Sequence, residues 1–183
     1  MGILNKIVLH WTAGGYYPNS TDLQHYHFLI DKDGNIHKGA LKPKDNINCN
    51  DGLYAAHCGG GNTGAIGVSL CGMAGYQSIT KPGKYFITKK QCEAMFKLAA
   101  QLCIKYNIPI DKVITHAEFG YKNPKTSSNG KIDITALPPC YDVDVTKETL
   151  NAKEGTTKGK RIIGYGNFIR NKIRWYYNKE LNK

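Results

Sequence analysis

The sequence predicts an α/β (α+β) single domain with a central mixed β-sheet flanked by helices, followed by a C-terminal basic amphipathic helix. Short apolar runs typical of strands alternate with turn-rich segments, and one long stretch has apolar residues at helical spacing. The chain has 183 residues, the length of one domain with a short appendage. Ile7, Val8 and Leu9 form a continuous apolar run, which is typical of a strand buried on both faces.

Turn and capping residues bound the other elements. Asp33-Gly34 predicts the turn of a β-hairpin. Thr88 and Gln91 have the spacing of a capping box, which predicts the start of a helix. We therefore predict strands at 25–30, 35–39, 65–72 and 113–116, and helices at 88–106 and 160–181. We further expect residues 120–130 to be irregular and residues 142–160 to be flexible.

A mixed-charge stretch at residues 142–160 precedes the C-terminal helix. We assign residues 1–145 to the main domain and residues 146–183 to a flexible linker and the C-terminal helix. That helix has apolar residues against a basic face, so it is expected to dock on the main domain. The docking residues are expected to be Phe168, Ile169, Ile173 and Trp175.

The formal net charge of +11 favours a polyanionic partner such as nucleic acid, an anionic membrane surface or an anionic cell wall. No apolar run approaches membrane-spanning length, so no transmembrane segment is expected. The first residues lead directly into a strand, so no signal peptide is expected. The six cysteines include no Cys-x-x-Cys pair, and we interpret them as reduced thiols of a protein made in the cytoplasm.

Two histidines stand at the ends of apolar strands. His10 follows the run that ends at Leu9, and His116 follows Val113-Ile114-Thr115. The two side chains can converge only if their strands lie side by side, and zinc requires such rigidly held imidazoles at about 2.0–2.1 Å. The pair therefore predicts a zinc site. His25 and His27, on one face of the predicted hairpin strand, are a weaker alternative because such faces are commonly solvated.

Several spaced motifs carry a resemblance to a known family. In chain order they are His10-Trp11-Thr12-Ala13-Gly14, Tyr26-His27-Phe28, Asp33-Gly34, Ala56-His57, Asn62-Thr63-Gly64-Ala65-Ile66-Gly67-Val68, Thr115-His116 and Lys131-Ile132-Asp133. Over roughly residues 6–140 the sequence resembles the zinc-dependent N-acetylmuramoyl-L-alanine amidases of the amidase-2 group. That group also includes peptidoglycan recognition proteins and small phage lysozyme amidases. The resemblance implies a mixed sheet with a groove over one zinc ion.

The resemblance implies a Zn²⁺ site in which an acidic or thiolate residue joins His10 and His116. The family pattern Lys-x-Asp or Lys-x-Cys matches Lys131-Ile132-Asp133, so Asp133 is the expected third ligand. Cys140 is the alternative because thiolate also binds zinc well, although a proline stands where the lysine should be. The gap between His116 and Asp133 is longer than the commoner family spacing.

The resemblance also implies roles in catalysis. A zinc-activated water attacks the amide bond between N-acetylmuramic acid and L-alanine, and Lys131 is expected to stabilise the oxyanion. Some relatives use a Glu in the strand where this chain has Ser69 and Cys71. Tyr26, which matches a tyrosine of the phage lysozyme amidases, is therefore expected to handle the proton or the oxyanion. The residues expected to line the substrate groove are His57, Trp11 and Asn62.

The function predicted from these residues is cell-wall lysis by an amidase that resembles phage endolysins. We expect a monomer that acts on peptidoglycan, made without a signal peptide and released through a membrane lesion. The alternative is a peptidoglycan-binding recognition protein without turnover, which would lack the third ligand. A nucleic-acid partner is not expected, because only the net charge favours one and no nucleic-acid fold motif is present.

Overall fold

A computed structural model describes residues 2–149 and 156–182, which fold around a five-stranded sheet. The strands are β1 (Lys6–Trp11), β2 (Phe28–Ile30), β3 (Ile36–Lys38), β4 (Ala65–Leu70) and β5 (Val113–Thr115). The helices are α1 (Ser20–His25), α2 (Lys89–Tyr106), α3 (His116–Lys122), α4 (Val145–Glu148) and α5 (Thr157–Leu181). Short 3-10 helices span Pro43–Ile47, Ile110–Lys112 and Pro139–Tyr141.

The sheet is mixed, as predicted, with the strand order β3-β2-β4-β1-β5. β1 lies in the middle of three parallel strands, between β4 and β5, and β2 is also parallel to β4. β3 pairs with β2 in the antiparallel hairpin that turns at Asp33-Gly34. Gly34 has a φ of 85°, which suits glycine at this turn.

The register between β1 and β5 determines where the two strand-end histidines lie. Leu9 is paired with Thr115 in a parallel ladder, so His10 and His116 both follow the last matched pair. The expectation that the two strands lie side by side is confirmed. The histidines come together because neighbouring parallel strands end at the same edge of the sheet.

Alternate side chains of β1 pack on opposite faces of the sheet, against different helices. Ile7 and Leu9 pack in the large core that includes Met95 and Phe96 of α2. Val8 points to the opposite face, where it packs against Phe119 of α3. Because side chains alternate along a strand, His10 lies on the same face as Val8, away from α2. The histidine site is therefore on the α3 face.

Capping chemistry explains where the helices begin. The predicted capping box of α2 is present, since Thr88 accepts from the Gln91 amide and Gln91 accepts from the Thr88 amide. A second box formed by Asn19 and Asp22 begins α1, which runs to His25. The predicted strand at 25–30 therefore starts only at Phe28, and the expectation that His25 and His27 share a strand face is wrong.

One other local expectation was wrong, and the flexibility expected of residues 142–160 stays a prediction. Residues 120–130 are not wholly irregular, because α3 continues to Lys122. Within 142–160, Asp144 caps the short helix α4 and α5 begins at Thr157, while residues 150–155 of that segment lie outside the described residues.

The C-terminal helix exists and packs on the main domain. Ile169 and Ile173 are fully or almost fully buried in the large core, and the Phe168 ring lies 5.8 Å from that of Tyr141. Trp175, however, is 57% exposed, so the expectation that it docks the helix is wrong. It falls outside the apolar stripe and lies under Lys179, 5.0 Å from the ring centroid.

None of the helices in the described ranges is both long enough and apolar enough to span a membrane. All six cysteines are free, and four of them are buried.

Burial predicts unequal effects of two substitutions in α5. Ile173→Ala removes a side chain with 0% exposure and leaves a cavity, so it should lower the free energy of unfolding by about 2–5 kcal/mol. Trp175→Ala, the matched control on the same helix, should cost much less because the ring is mostly exposed. Urea unfolding of both variants measures this, and equal losses would contradict the packing described here.

Candidate active site

Three side chains converge at the end of β1. Nδ1 of His10 lies 3.0 Å from Nδ1 of His116, and Oδ2 of Asp133 lies 3.5 Å and 3.3 Å from these nitrogens. All three residues are buried, and one ligand atom of each lies within 4.8 Å of the others. This group could hold a metal ion.

His116 is fixed by a serine that the sequence analysis did not single out. The Ser128 hydroxyl donates to the Gly59 carbonyl at 2.8 Å, so it must accept from Nε2–H of His116 at 2.9 Å. This bond places a proton on Nε2 of His116. Nδ1 is therefore the nitrogen left to bind a metal, and it faces His10 and Asp133.

His10 has a comparable partner in His57. Nε2 of His10 lies 3.0 Å from Nδ1 of His57, so this contact occupies the ring nitrogen that faces away from Asp133. Gly67 makes room for His57, because a Cβ at this position would lie 2.7 Å from the imidazole. Burial, opposed by Asp133, lowers the pKa of His10 to about 4, and burial together with His10 lowers that of His57 well below its ordinary value. Both rings are neutral at pH 7.

Asp133 provides the negative charge of the group. Burial alone would raise its pKa, but contacts with His10 and His116 outweigh burial and the pKa lies below its ordinary value. The Asp133 carbonyl also accepts from the Ala117 amide at 2.7 Å, which ties this segment to α3 next to His116. Asp133 is thus an ionised, positioned carboxylate.

Tyr26 lies at the edge of the group. Its ring centroid is 5.2 Å from that of His10, and its backbone caps the end of α1. Burial and the Asp133 charge raise the pKa of Tyr26 above its ordinary value. The hydroxyl is therefore protonated at neutral pH and available as a donor.

Lys131 is exposed. Burial lowers the pKa of His10 most, and the charges of His116 and Lys131 lower it further. The side chain also lines a cavity of about 240 Å³ between α3 and α5, together with Tyr121 and Lys158.

The remaining predicted site residues lie further from the three converging atoms. Trp11 is buried in the large core, with its ring 5.4 Å from that of Tyr76. Asn62 is half-buried, and its Oδ1 accepts from the amides of His57 and Cys58, which fixes the loop that carries His57.

Cys140 is not part of the converging group. It is exposed and belongs to the 3-10 helix whose Tyr141 ring lies 5.9 Å from Phe96 of α2. Cys140 is therefore attached to the α2 side of the molecule, whereas Asp133 faces both histidines.

Sequence reasoning missed three residues that organise the site. Ser128 gives no sequence signal, since its partner Gly59 is distant in the chain. Glu118 does have a sequence signal, because Thr115 and Glu118 have the spacing of a capping box. Asn46 accepts from Nε2 of the buried His27 at 3.0 Å, and Nδ1 of His27 in turn accepts from the Gly67 amide. This explains His27 as a structural residue.

The donor set fits a zinc ion. Two neutral imidazoles and one carboxylate are a ligand combination that catalytic zinc sites use, leaving a fourth position for water. A divalent ion at this point would be attracted by all three atoms.

Comparison with known protein families identifies most of the chain. The sequence profile of the family described as "Amidase_2: N-acetylmuramoyl-L-alanine amidase" matches residues 2–132. The match ends one residue before Asp133 and leaves α5 outside. No curated protein sequence matches the chain significantly.

Solved structures of similar fold include amidases and an endolysin. The N-acetylmuramyl-L-alanine amidase AmiD from E. coli, solved with anhydro-N-acetylmuramic acid-L-Ala-D-gamma-Glu-L-Lys, is 16% identical, with a TM-score of 0.53 over 97% of this chain and 89% of that chain. The amidase LysC from Clostridium intestinale is 23% identical, with a TM-score of 0.44 over 62% and 70% of the two chains. The Ph2119 endolysin from a Thermus scotoductus bacteriophage is 17% identical, with a TM-score of 0.46 over 64% and 74%.

The family profile covers well over half of the chain, and it includes both strand-end histidines and Tyr26. The chain therefore belongs to the N-acetylmuramoyl-L-alanine amidase family.

Proposed function

We propose that the chain hydrolyses the amide bond between N-acetylmuramic acid and L-alanine with a zinc ion held by His10, His116 and Asp133. Membership of the family makes it an amidase that acts on peptidoglycan. The observation that carries the zinc proposal is the convergence of two buried Nδ1 atoms and one ionised carboxylate oxygen. When bound, zinc supplies an activated water as nucleophile and polarises the carbonyl of the scissile amide.

The residues around the three ligands have separate tasks. Ser128 and His57 hold the outer nitrogens of the two imidazoles, so the ligand nitrogens keep their orientation as substrate enters. Asp133 provides a negative charge that offsets the charge of the ion. Imidazole ligands would add no further negative charge, so a bound ion would remain a strong Lewis acid.

Tyr26 is proposed as the donor to the developing oxyanion or to the leaving nitrogen. Its raised pKa keeps the proton on the hydroxyl at neutral pH, and its ring borders that of His10. The strand position where some relatives have a glutamate holds the buried Ser69, so β4 offers no carboxylate for this task. Lys131, at the exposed edge, is proposed to add positive charge near the same oxygen.

The biological role proposed is lysis of the bacterial cell wall, as an endolysin. The Ph2119 endolysin has a similar fold, and the net charge of +11 favours attraction to the anionic polymers of a cell wall. The alternative of a recognition protein without turnover is disfavoured, because Asp133 supplies the third ligand that such proteins lack.

Metal removal tests the proposal directly. The purified protein should contain one zinc per chain, lose lysis of isolated cell walls when zinc is chelated, and regain it when zinc is added back, because the water position depends on the ion. Elemental analysis and release of L-alanine-bearing peptides measure both quantities. Full activity in a protein without metal would contradict the proposal.

Removal of one hydroxyl tests the role of Tyr26. Tyr26→Phe removes only the hydroxyl, so zinc content should be unchanged while turnover falls by roughly 10²-fold or more, the range typical of a positioned proton donor. Tyr17→Phe is the matched control, since the exposed Tyr17 hydroxyl donates to Asp33 instead. Unchanged turnover in Tyr26→Phe would remove Tyr26 from the reaction.

A further inference from the structure

The C-terminal helix, outside the family match, reaches the structure behind His116. Arg170 of α5 forms a two-armed ion pair with Glu118 of α3, with Nη2 to Oε1 at 2.8 Å and Nη1 to Oε2 at 3.0 Å. Glu118 is fully buried and the Arg170 side chain is 13% exposed. Paired, hydrogen-bonded charges of this kind are directional and specific.

Glu118 also sets the start of α3. Its Oε2 accepts from the Thr115 amide at 2.9 Å, while the Thr115 hydroxyl accepts from the Glu118 amide at 3.1 Å. This capping box encloses His116, the first residue of α3. The backbone that carries the imidazole is therefore held between Thr115 and Glu118.

Arg170 fixes the strand that leads to His116 as well as the helix that starts there. Nη1 donates to the Val113 carbonyl of β5 at 3.0 Å, and Nη2 donates to Asn167 Oδ1 at 2.7 Å. Gly166 allows this approach, because a Cβ there would collide with the Glu118 carboxylate. The glycine at position 166 thus allows α5 to bring the Arg170 guanidinium against the Glu118 carboxylate.

We infer that Arg170 is a positioning residue for the metal centre, which acts through Glu118 and Thr115 to hold His116 in its ligating position. The inference rests on the proposed function, because it assumes that His116 binds zinc. The inference gives α5 an indirect role in the active site. Its contacts described above reach Glu118 and Val113, not the three ligand atoms. The proposed ligands all precede residue 134, so α5 would support the site from a later part of the chain.

The expected effect follows from the precision that metal ligation demands. Partners that orient a ligand without touching the metal typically contribute 10–100-fold to metal affinity. Lysine retains the positive charge near Glu118 but not the planar two-armed geometry that also reaches the Val113 carbonyl. Arg170→Lys should therefore loosen the turn from β5 into α3 without leaving a bare buried carboxylate.

The experiment compares zinc affinity with stability in full-length variants. Zinc dissociation constants are measured by competition with a chromophoric chelator, below the unfolding temperature of every variant. Arg170→Lys should raise the dissociation constant by about 10-fold or more and alter the visible spectrum of the cobalt(II)-substituted protein. Activity should return at saturating zinc, as expected for a residue that positions a ligand.

Two controls separate positioning from general stability. Arg174→Lys changes an arginine on the same helix whose partner, Asp111, is largely exposed, so zinc affinity should match the wild type. Ile173→Ala should lower stability with no change in zinc affinity. If Arg170→Lys retains wild-type affinity, or Ile173→Ala loses as much, the inference is overturned.

A second variant guards against misfolding of the first. Glu118→Gln retains an oxygen that can cap Thr115 but loses the ion pair, and it should weaken zinc binding in the same direction. Wild-type affinity in Glu118→Gln would also overturn the inference. A wild-type protein that binds no zinc would instead contradict the proposed function itself, with Arg170 then left without a ligand to position.

Discussion

The parallel pairing of β1 with β5 is the constraint on which the site depends. Each strand places a histidine one residue beyond the last matched pair, Leu9 and Thr115. A shift of one residue in either strand would turn one imidazole to the α2 face, because side chains alternate along a strand. The hydrophobic residues on both faces of β1 fix the register, so the core and the site are specified together.

The burial of the group explains its electrostatics. Removal from water keeps His10 and His57 neutral, while the two histidines around Asp133 keep that carboxylate ionised. The result is a buried site with two converging imidazole nitrogens and one negative charge, which suits a cation. Tyr26 follows the same rule, since burial favours its neutral form and so keeps the proton on the hydroxyl.

Much of this arrangement was accessible from the sequence, because it rests on local patterns. The apolar runs before His10 and His116 predicted two buried strands, and the Thr88 and Gln91 spacing located the start of α2. The family resemblance pointed to Asp133. The boundaries of the hairpin were missed because capping by Asn19 and Asp22 extends α1 to His25.

The residues that support the site were not accessible in the same way. Ser128 and Gly59 meet only in the folded chain, and so do Arg170 and Glu118. Trp175 could not be placed from the helical spacing of apolar residues alone. An aromatic residue at the edge of an apolar stripe can face either the core or solvent, and Trp175 faces solvent. Such long-range contacts need the three-dimensional structure.

X-ray absorption at the zinc edge tests the central claim most directly. If His10, His116 and Asp133 hold the ion, the first shell contains only nitrogen and oxygen at about 2.0–2.2 Å, with outer-shell scattering from two imidazoles. A sulfur shell at about 2.3 Å would contradict the account, since it would require a thiolate such as Cys140 to reach the ion.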